Sequence, residues 1–203
     1  MAEKRSPQDK LVATALSMIE TSGWQGLSLT QLARESKIPV ETVFHLCPDK
    51  HALLKLIGTS INAAAVKRMT EPGDNEPARD RAFDAILVVF EAMADYKPAL
   101  AVIYQETRID PATWLDVGPF FVRSAEWIAD NAKLPTNGLQ GLATTRAIAA
   151  LLVETFGVWL ADGEDLAKTM AHVDRRLRSA ESWISTFQRR ERKENKDEKQ
   201  AAD

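Results

Sequence analysis

The chain has 203 residues, of which 45% are hydrophobic and 27% are charged, and its formal net charge is −3. This length suits either one larger domain or a small domain followed by a larger one. The single cysteine, Cys47, excludes an internal disulfide framework and favours a reducing compartment. The N-terminus lacks the apolar segment of a signal peptide, and the apolar runs are too short to cross a membrane. We therefore expect a cytoplasmic protein without a membrane span.

The charge is distributed unevenly along the chain. The segment Met1–Met69 contains nine lysines and arginines against six acidic residues, a balance of +3, which leaves −6 for the remainder. Contact with phosphate is a local electrostatic event, so the first third is the segment suited to nucleic acid.

Two helices are predicted before residue 37. Apolar residues recur at helical spacing up to Gly23, and glycine suits the end of a helix. Ser28 and Gln31 have the spacing of a capping box, which predicts a second, short helix from Leu29 to about Glu35.

Two further helices follow in the first seventy residues. Pro39 interrupts the second helix and favours a third over Val40–Leu46. Asp49 is a suitable N-cap for a long fourth helix that reaches about Met69.

The remaining chain predicts five more helices and no strand. The predicted ranges are Ala78–Tyr96, Pro98–Arg108, Pro111–Asn131 with a break at Gly118-Pro119, Gly138–Ala161 and Glu164–Arg190. The predicted fold class is therefore all-α, with about nine helices.

We expect an N-terminal helix-turn-helix domain over residues 1–52 and a larger helical ligand-binding and dimerisation domain over residues 53–188. The helix over residues 49–69 joins them, and residues 189–203 form a charged, disordered tail.

The second and third helices have the spacing of a helix-turn-helix, in which the second helix enters the major groove of DNA. Thr42 and Lys50 suit contacts with phosphate oxygens. The full set of candidate DNA-binding residues on the accessible faces is Thr30, Gln31, Pro39, Val40, Glu41, Thr42, Phe44, His45 and Lys50. The spacing also suits a three-helix packing unit without a ligand.

Residues from about Lys10 to Ile57 resemble the N-terminal domain of the TetR family of bacterial transcriptional regulators. The matching segments are the first helix ending in Ser-Gly-Trp, then SLTQLA, IPVETVFHLCPDK and the following ALL. The resemblance implies a homodimer that binds double-stranded operator DNA and pairs through its C-terminal helices. It also implies a body with a small-molecule pocket, and a repressor that ligand binding releases from DNA.

Several positions depart from the usual pattern of that family. Glu41 replaces a small or basic residue, Phe44 replaces a tyrosine, and Leu46 stands where histidine is common. Lys37 occupies a turn position that is often glycine, and an aromatic residue often replaces Cys47. Glu41, Phe44 and Leu46 favour an alternative function: a lipid- or quinone-binding accessory protein with the TetR fold and without DNA recognition.

Aromatic side chains are frequent in the predicted body, where they suit either core packing or a pocket for an apolar or amphipathic effector. The candidate ligand-binding residues, with polar anchors included, are Phe90, Tyr104, Gln105, Arg108, Trp114, Phe120, Phe121, Trp127 and Glu154.

Apolar stripes on the last two predicted helices suit either packing within one chain or a dimer interface. The candidate interface residues are Leu152, Phe156, Trp159, Val173, Leu177 and Ile184.

No motif in the sequence supports catalysis, a metal site or a bound cofactor. The three histidines, at positions 45, 51 and 172, are scattered, and no glycine-rich phosphate loop or nucleophile motif occurs. We therefore expect a binding protein and not an enzyme.

Overall fold

The computed structural model describes residues 6–73, 75–108 and 110–180. Within these residues every regular element is a helix, which confirms the all-α prediction. The helices are α1 (Pro7–Gly26), α2 (Leu29–Ser36), α3 (Val40–Leu46), α4 (Lys50–Arg68), α5 (Ala78–Met93), α6 (Lys97–Thr107), α7 (Pro111–Asn131) and α8 (Gly138–Leu160). A short 3-10 turn, Ala94–Tyr96, joins α5 to α6, and α9 covers residues 167–180.

Local sequence signals determine most of these bounds. Ser6 and Asp9 form a reciprocal capping box at the start of α1. Asp49 caps α4 by accepting a hydrogen bond from the Ala52 amide at 2.7 Å. The third helix begins directly after Pro39, as predicted.

Two of the predicted local features are wrong. Ser28 occupies the N-cap of α2, but its side chain makes no capping hydrogen bond, because both Ser28 and Gln31 are exposed and water can satisfy them. The predicted break at Gly118-Pro119 is absent, and α7 continues through Pro119. Proline deprives the carbonyl of Leu115 of its helical partner, but Leu115 is 79% exposed, so solvent can hydrate that carbonyl.

The helices pack as a continuous cluster of buried apolar side chains that runs from α1 to α9. The first helix packs against α2 and α6, α4 packs against α5 and α7, and α7 packs against α8. Each of α4 and α6 therefore contacts both the N-terminal helices and the body, which places them between the two predicted domains. The predicted tail over residues 189–203 lies outside the described residues.

Candidate functional sites: the outer face of α3 and a cavity in the body

The turn between α2 and α3 directs one side of each helix inward. Lys37 adopts the left-handed conformation, with φ 53° and ψ 38°, and reverses the chain. Leu32, Val43 and Cys47 are then fully buried beneath the two helices. Burial raises the pKa of the Cys47 thiol, and the nearby Asp49 carboxylate adds to that effect, so this cysteine is an apolar packing group.

The opposite side of the turn carries nearly all the residues predicted to bind DNA. The residues exposed there are Thr30, Gln31, Pro39, Val40, Glu41, Phe44 and His45, and Thr42 is half-buried. The structure therefore brings these eight residues to the surface of one helical pair, in the positions expected of a helix-turn-helix.

The outer face of α3 is apolar at its centre. Val40 is 43% exposed and Phe44 is 46% exposed, and the two lie one helical turn apart. Glu41 lies beside them and forms no ion pair with any residue that the structure describes. The face thus offers a methyl-rich surface, an aromatic ring and a free carboxylate.

Lys50 was predicted to contact phosphate, but in the structure its side chain already makes contacts within the protein. Its ammonium donates a hydrogen bond to the carbonyl of Gln25 at 3.1 Å and lies 5.0 Å from the centre of the Trp24 ring. Burial lowers the pKa of Lys50, and the carboxylate of Glu106 offsets part of this effect. Lys50 therefore holds α4 against the end of α1, and only its remaining N–H groups are available to a phosphate.

The end of α1 is also tied to α6. Gly23 has a φ of 78° and ψ of 164°, which interrupts the helix and frees the amide of Gln25. That amide donates to Glu106 at 2.8 Å, and a Cβ at position 23 would lie 2.7 Å from the same carboxylate. We call Gln25, Lys50 and Glu106 the junction cluster, because they join α1, α4 and α6.

A second link joins α4 to α7. Asp116, whose side chain is largely buried, contacts the Nδ1 atom of His51 and accepts from Lys55 at 3.2 Å. Burial alone would raise the pKa of Asp116, but the hydrogen bonds and charges of His51 and Lys55 outweigh it and lower that pKa. The carboxylate thus stays ionised near neutral pH and holds the N-terminal half of α4 on α7.

A cavity of about 90 Å³ lies between α4, α6, α7 and α8. Its lining is almost entirely apolar and includes Leu54, Ile57, Gly58, Ile61, Met93, Leu100, Ile103, Tyr104, Thr107, Arg108, Thr113, Trp114, Val117, Phe120, Phe121 and Phe156. Gly58 of α4 lies against Phe120 of α7, because a Cβ at position 58 would lie 3.0 Å from the Phe120 ring.

Five of the nine predicted ligand-binding residues line this cavity, namely Tyr104, Arg108, Trp114, Phe120 and Phe121. The other four do not. Phe90 is fully buried and does not line the cavity; its ring centre lies 5.9 Å from that of Trp159. Gln105 and Trp127 point to solvent. Glu154 pairs with Arg176 of α9 at 2.8 Å, and its carboxylate lies 3.4 Å from Nε2 of His172.

The sequence interpretation missed the contribution of α4. Leu54, Ile57 and Ile61 lie three and four residues apart, and this spacing could have identified an apolar face turned toward the body.

The sequence interpretation also assigned Phe156 to the dimer interface. Phe156 instead lines the cavity, with its ring 5.7 Å from Tyr104 and 5.9 Å from Phe121.

Three more residues predicted at the dimer interface face the core of their own chain. Leu152, Trp159 and Val173 are at most 1% exposed, so they are not accessible to a partner. Leu177 is half-buried, and Ile184 lies outside the described residues. The opposite side of α8 is the exposed one: Leu142 is 54% and Val153 38% exposed, and Met170 of α9 is 40% exposed.

The same helix, α8, has 23 residues and is long and apolar enough to cross a membrane, with a mean hydropathy of 1.3 over its most apolar 18 residues. A third of that stretch is buried within the protein, and core helices of soluble proteins share this length and composition. Across the residues that the structure describes, no group of three or more histidine, cysteine or acidic side chains is placed to hold a metal ion.

Comparisons with solved structures identify the fold. No protein-family model matches the sequence, and no curated protein matches it. A TetR transcriptional regulator from Nitrosomonas europaea is similar in structure, with a TM-score of 0.69 and 15% sequence identity over 88% of this chain and 99% of that one. A TetR transcriptional regulator from Rhodococcus sp. RHA1 has a TM-score of 0.60 and 14% identity, over 86% of this chain and 94% of that one.

The multidrug binding protein EbrR, in complex with imidazole, is also similar, with a TM-score of 0.54 and 14% identity over 85% of this chain and 96% of that one. These likenesses extend over 85–88% of this chain and 94–99% of the other chains. At this level of identity they establish the shared architecture. The chain therefore has the fold of the TetR family of transcriptional regulators.

Proposed function

We propose that this protein is a dimeric, ligand-responsive transcriptional regulator that acts in the cytoplasm as a repressor. The observation that carries the proposal is the exposed outer face of α3, held on a buried helix-turn-helix frame. Four residues of this face are exposed and take no part in the core of their own chain, namely Val40, Glu41, Phe44 and His45. A helix presented in this way has the size to enter a major groove.

The proposed response to a ligand passes through α6 and α4. Both helices line the cavity, and both join the end of α1 through the junction cluster. A ligand that fits only when these helices shift would favour a second arrangement of the two helix-turn-helix units. Because the units of a dimer must match half-sites about 34 Å apart or multiples of that distance, a small rotation lowers affinity for DNA.

The proposed dimer uses the outer face of α8 and α9. Leu142 and Val153 are exposed on α8 together with Ala147 and Ala150, and Met170 is exposed on α9. Small residues in the middle of such a stripe allow two helices to approach closely about a two-fold axis.

The experiment that tests DNA binding measures the affinity of the full chain for the DNA directly upstream of its own gene. The titration is repeated at several salt concentrations, with a shuffled duplex of equal length and composition as control. We expect a specific complex whose affinity falls steeply with salt, because each phosphate contact releases counterions. Absence of a complex at about 50 mM salt, or equal affinity for the shuffled duplex, would contradict the proposal.

A second candidate function is that of a lipid- or quinone-binding accessory protein without DNA recognition. The observation that favours it is the same apolar surface of Val40 and Phe44, beside a carboxylate that repels phosphate. Absence of DNA binding, together with a bound lipid or quinone in native mass spectrometry of the purified protein, would support this alternative.

A further inference from the structure

We propose that the body cavity binds a carboxylic acid with an apolar body, whose carboxylate is held by Arg108 and Tyr104. This inference deepens the proposed function, because it names the chemical class of the effector. It concerns the cavity alone, so it can be tested independently of DNA binding.

The walls of the cavity require an apolar body. The α4 wall consists of Leu54, Ile57 and Ile61, and Phe120 and Phe121 of α7 face it. Two threonines also line the space, but each hydroxyl already donates within the protein. Thr107 donates to the carbonyl of Ile103 at 2.6 Å, and Thr113 donates to Asp110 at 2.7 Å. A ligand rich in hydroxyl or amide groups would therefore lose hydrogen bonds with water on entry.

The charge at the cavity favours an anion. Arg108 is the one charged side chain in its lining, and no carboxylate among the described residues forms an ion pair with it. A guanidinium has five donors and no acceptor, and its planar shape suits two parallel hydrogen bonds to a carboxylate.

Tyr104 provides a second donor beside Arg108. Tyr104 lies four positions before Arg108, which caps the end of α6 in helical conformation, so the two residues share one face, and both line the cavity. Within the described part of the chain, the Tyr104 hydroxyl forms no hydrogen bond with another residue. A phenol and a guanidinium at this spacing together suit an oxyanion.

The position of Arg108 determines the orientation of the ligand. Arg108 follows the last residue of α6 and is exposed, whereas the aromatic rings lie deeper. Trp114 donates from its indole N–H to the Arg108 carbonyl at 3.0 Å, which fixes the backbone at this edge. The carboxylate therefore lies at the solvent edge, where its loss of hydration is small, and the apolar body points inward.

The size of the cavity limits the length of that body. A volume of about 90 Å³ is well below the ~300 Å³ at which pockets for drug-sized ligands begin. A short acid fits with little movement. A longer chain requires Phe120 to move away from Gly58, where α7 lies close against α4.

The test is isothermal titration calorimetry of the full chain with butanoate, hexanoate, octanoate and decanoate, each compared with the primary alcohol of equal length. We expect saturable binding of one molecule per chain, with the acid at least about tenfold tighter than its alcohol, because hydrogen bonds to charged groups are the stronger ones. Equal affinity of acid and alcohol, or no saturable binding in the series, would overturn the proposal.

Two variants test the role of the guanidinium. Arg108→Gln should remove the preference for the acid, an effect of about tenfold, and leave the affinity for the alcohol unchanged. Arg123→Gln is the matched control, because Arg123 is an exposed arginine of α7 that does not line the cavity. It should bind acids as the unmodified protein does. Equal loss in both variants would mean that overall charge, and not Arg108, attracts the acid, and would overturn the proposal.

A third variant, Tyr104→Phe, removes only the hydroxyl and should lower the affinity for the acid more than the affinity for the alcohol. Thermal unfolding of each variant shows whether it is folded. The DNA titration of the same preparation separates the two hypotheses: acid binding without DNA binding contradicts the regulator alone, and DNA binding without acid binding contradicts this inference alone.

Discussion

At the scale of single residues, the chemistry of α3 suggests which bases the protein would contact. Val40 and Phe44 present apolar groups, which suit the C5-methyl group of thymine in the major groove. Glu41 presents a free acceptor, which suits the amino group of cytosine. The face has few phosphate-binding groups of its own, because Lys50 is held by Gln25 and Trp24. Under the proposed function, the apolar contacts would therefore supply specificity rather than general affinity.

Replacement of thymine by uracil in the bound DNA tests the apolar contact, because it removes one methyl group and preserves base pairing. We expect uracil at the contacted positions of each half-site to weaken binding several-fold, since burial of a methyl-sized group contributes about 0.8 kcal/mol. Phe44→Ala should abolish this sensitivity to uracil. Fluorescence anisotropy with the two duplexes and the two proteins measures all four affinities. An unchanged sensitivity in Phe44→Ala would show that another residue contacts the methyl group.

At the scale of secondary-structure elements, α6 links the cavity to the N-terminal helices. Ile103, Tyr104 and Thr107 line the cavity, and Glu106 on the same helix binds the amide of Gln25. This arrangement depends on the interruption of α1 at Gly23, because a continuous helix would use that amide internally. Under the proposed function, a displacement of α6 by a ligand would therefore act on the end of α1 and, through Lys50, on the start of α4.

Glu106→Ala tests this link. We expect a loss of about 1 kcal/mol in the free energy of unfolding, which corresponds to a fall of about 2–4 °C in Tm for a chain of this size, because the amide of Gln25 loses a charged acceptor. The effect of an effector on DNA affinity should also decrease. Glu126→Ala is the control, since Glu126 is an exposed glutamate of α7. Differential scanning calorimetry measures the first effect; equal Tm values for both variants would contradict the link.

At the scale of the whole molecule, the two sides of α8 have different roles. Its inner side, with Leu152, Phe156 and Trp159, completes the core and the cavity of one chain. Its outer side leaves Leu142 and Val153 exposed, a pattern that a partner helix could cover. This division places the proposed dimer interface directly behind the cavity, so the two sites would share one helix.

Val153→Asp tests the proposed interface. We expect the unmodified chain to be a dimer at micromolar concentration and the variant to be a monomer, because the substitution places two like charges near the two-fold axis in an apolar contact. Leu115→Asp is the matched control, since Leu115 is 79% exposed on α7, and it should remain dimeric. Light scattering after size-exclusion chromatography gives both masses. A monomeric unmodified chain would contradict the interface.

The sequence by itself determined the features that depend on neighbouring residues. The bounds of α3, the cap of α4 at Asp49 and the exposed positions of the helix-turn-helix all follow from prolines, caps and helical spacing. These signals act within one or two turns of helix, so a short stretch of sequence is sufficient to show them. They were sufficient to indicate the resemblance to the TetR family and the all-helical class.

Only the tertiary structure decided which apolar stripe faces the core, the cavity or solvent. The sequence pattern of Leu152, Phe156 and Trp159 suits a dimer interface as well as a core, because burial by a partner and burial by the same chain select the same residue types. Tyr104 and Arg108 likewise gained their joint position from the packing of α4, α7 and α8 around α6. Such assignments depend on contacts between residues far apart in the chain, because the spacing within one helix shows that a face is apolar but not which element covers it.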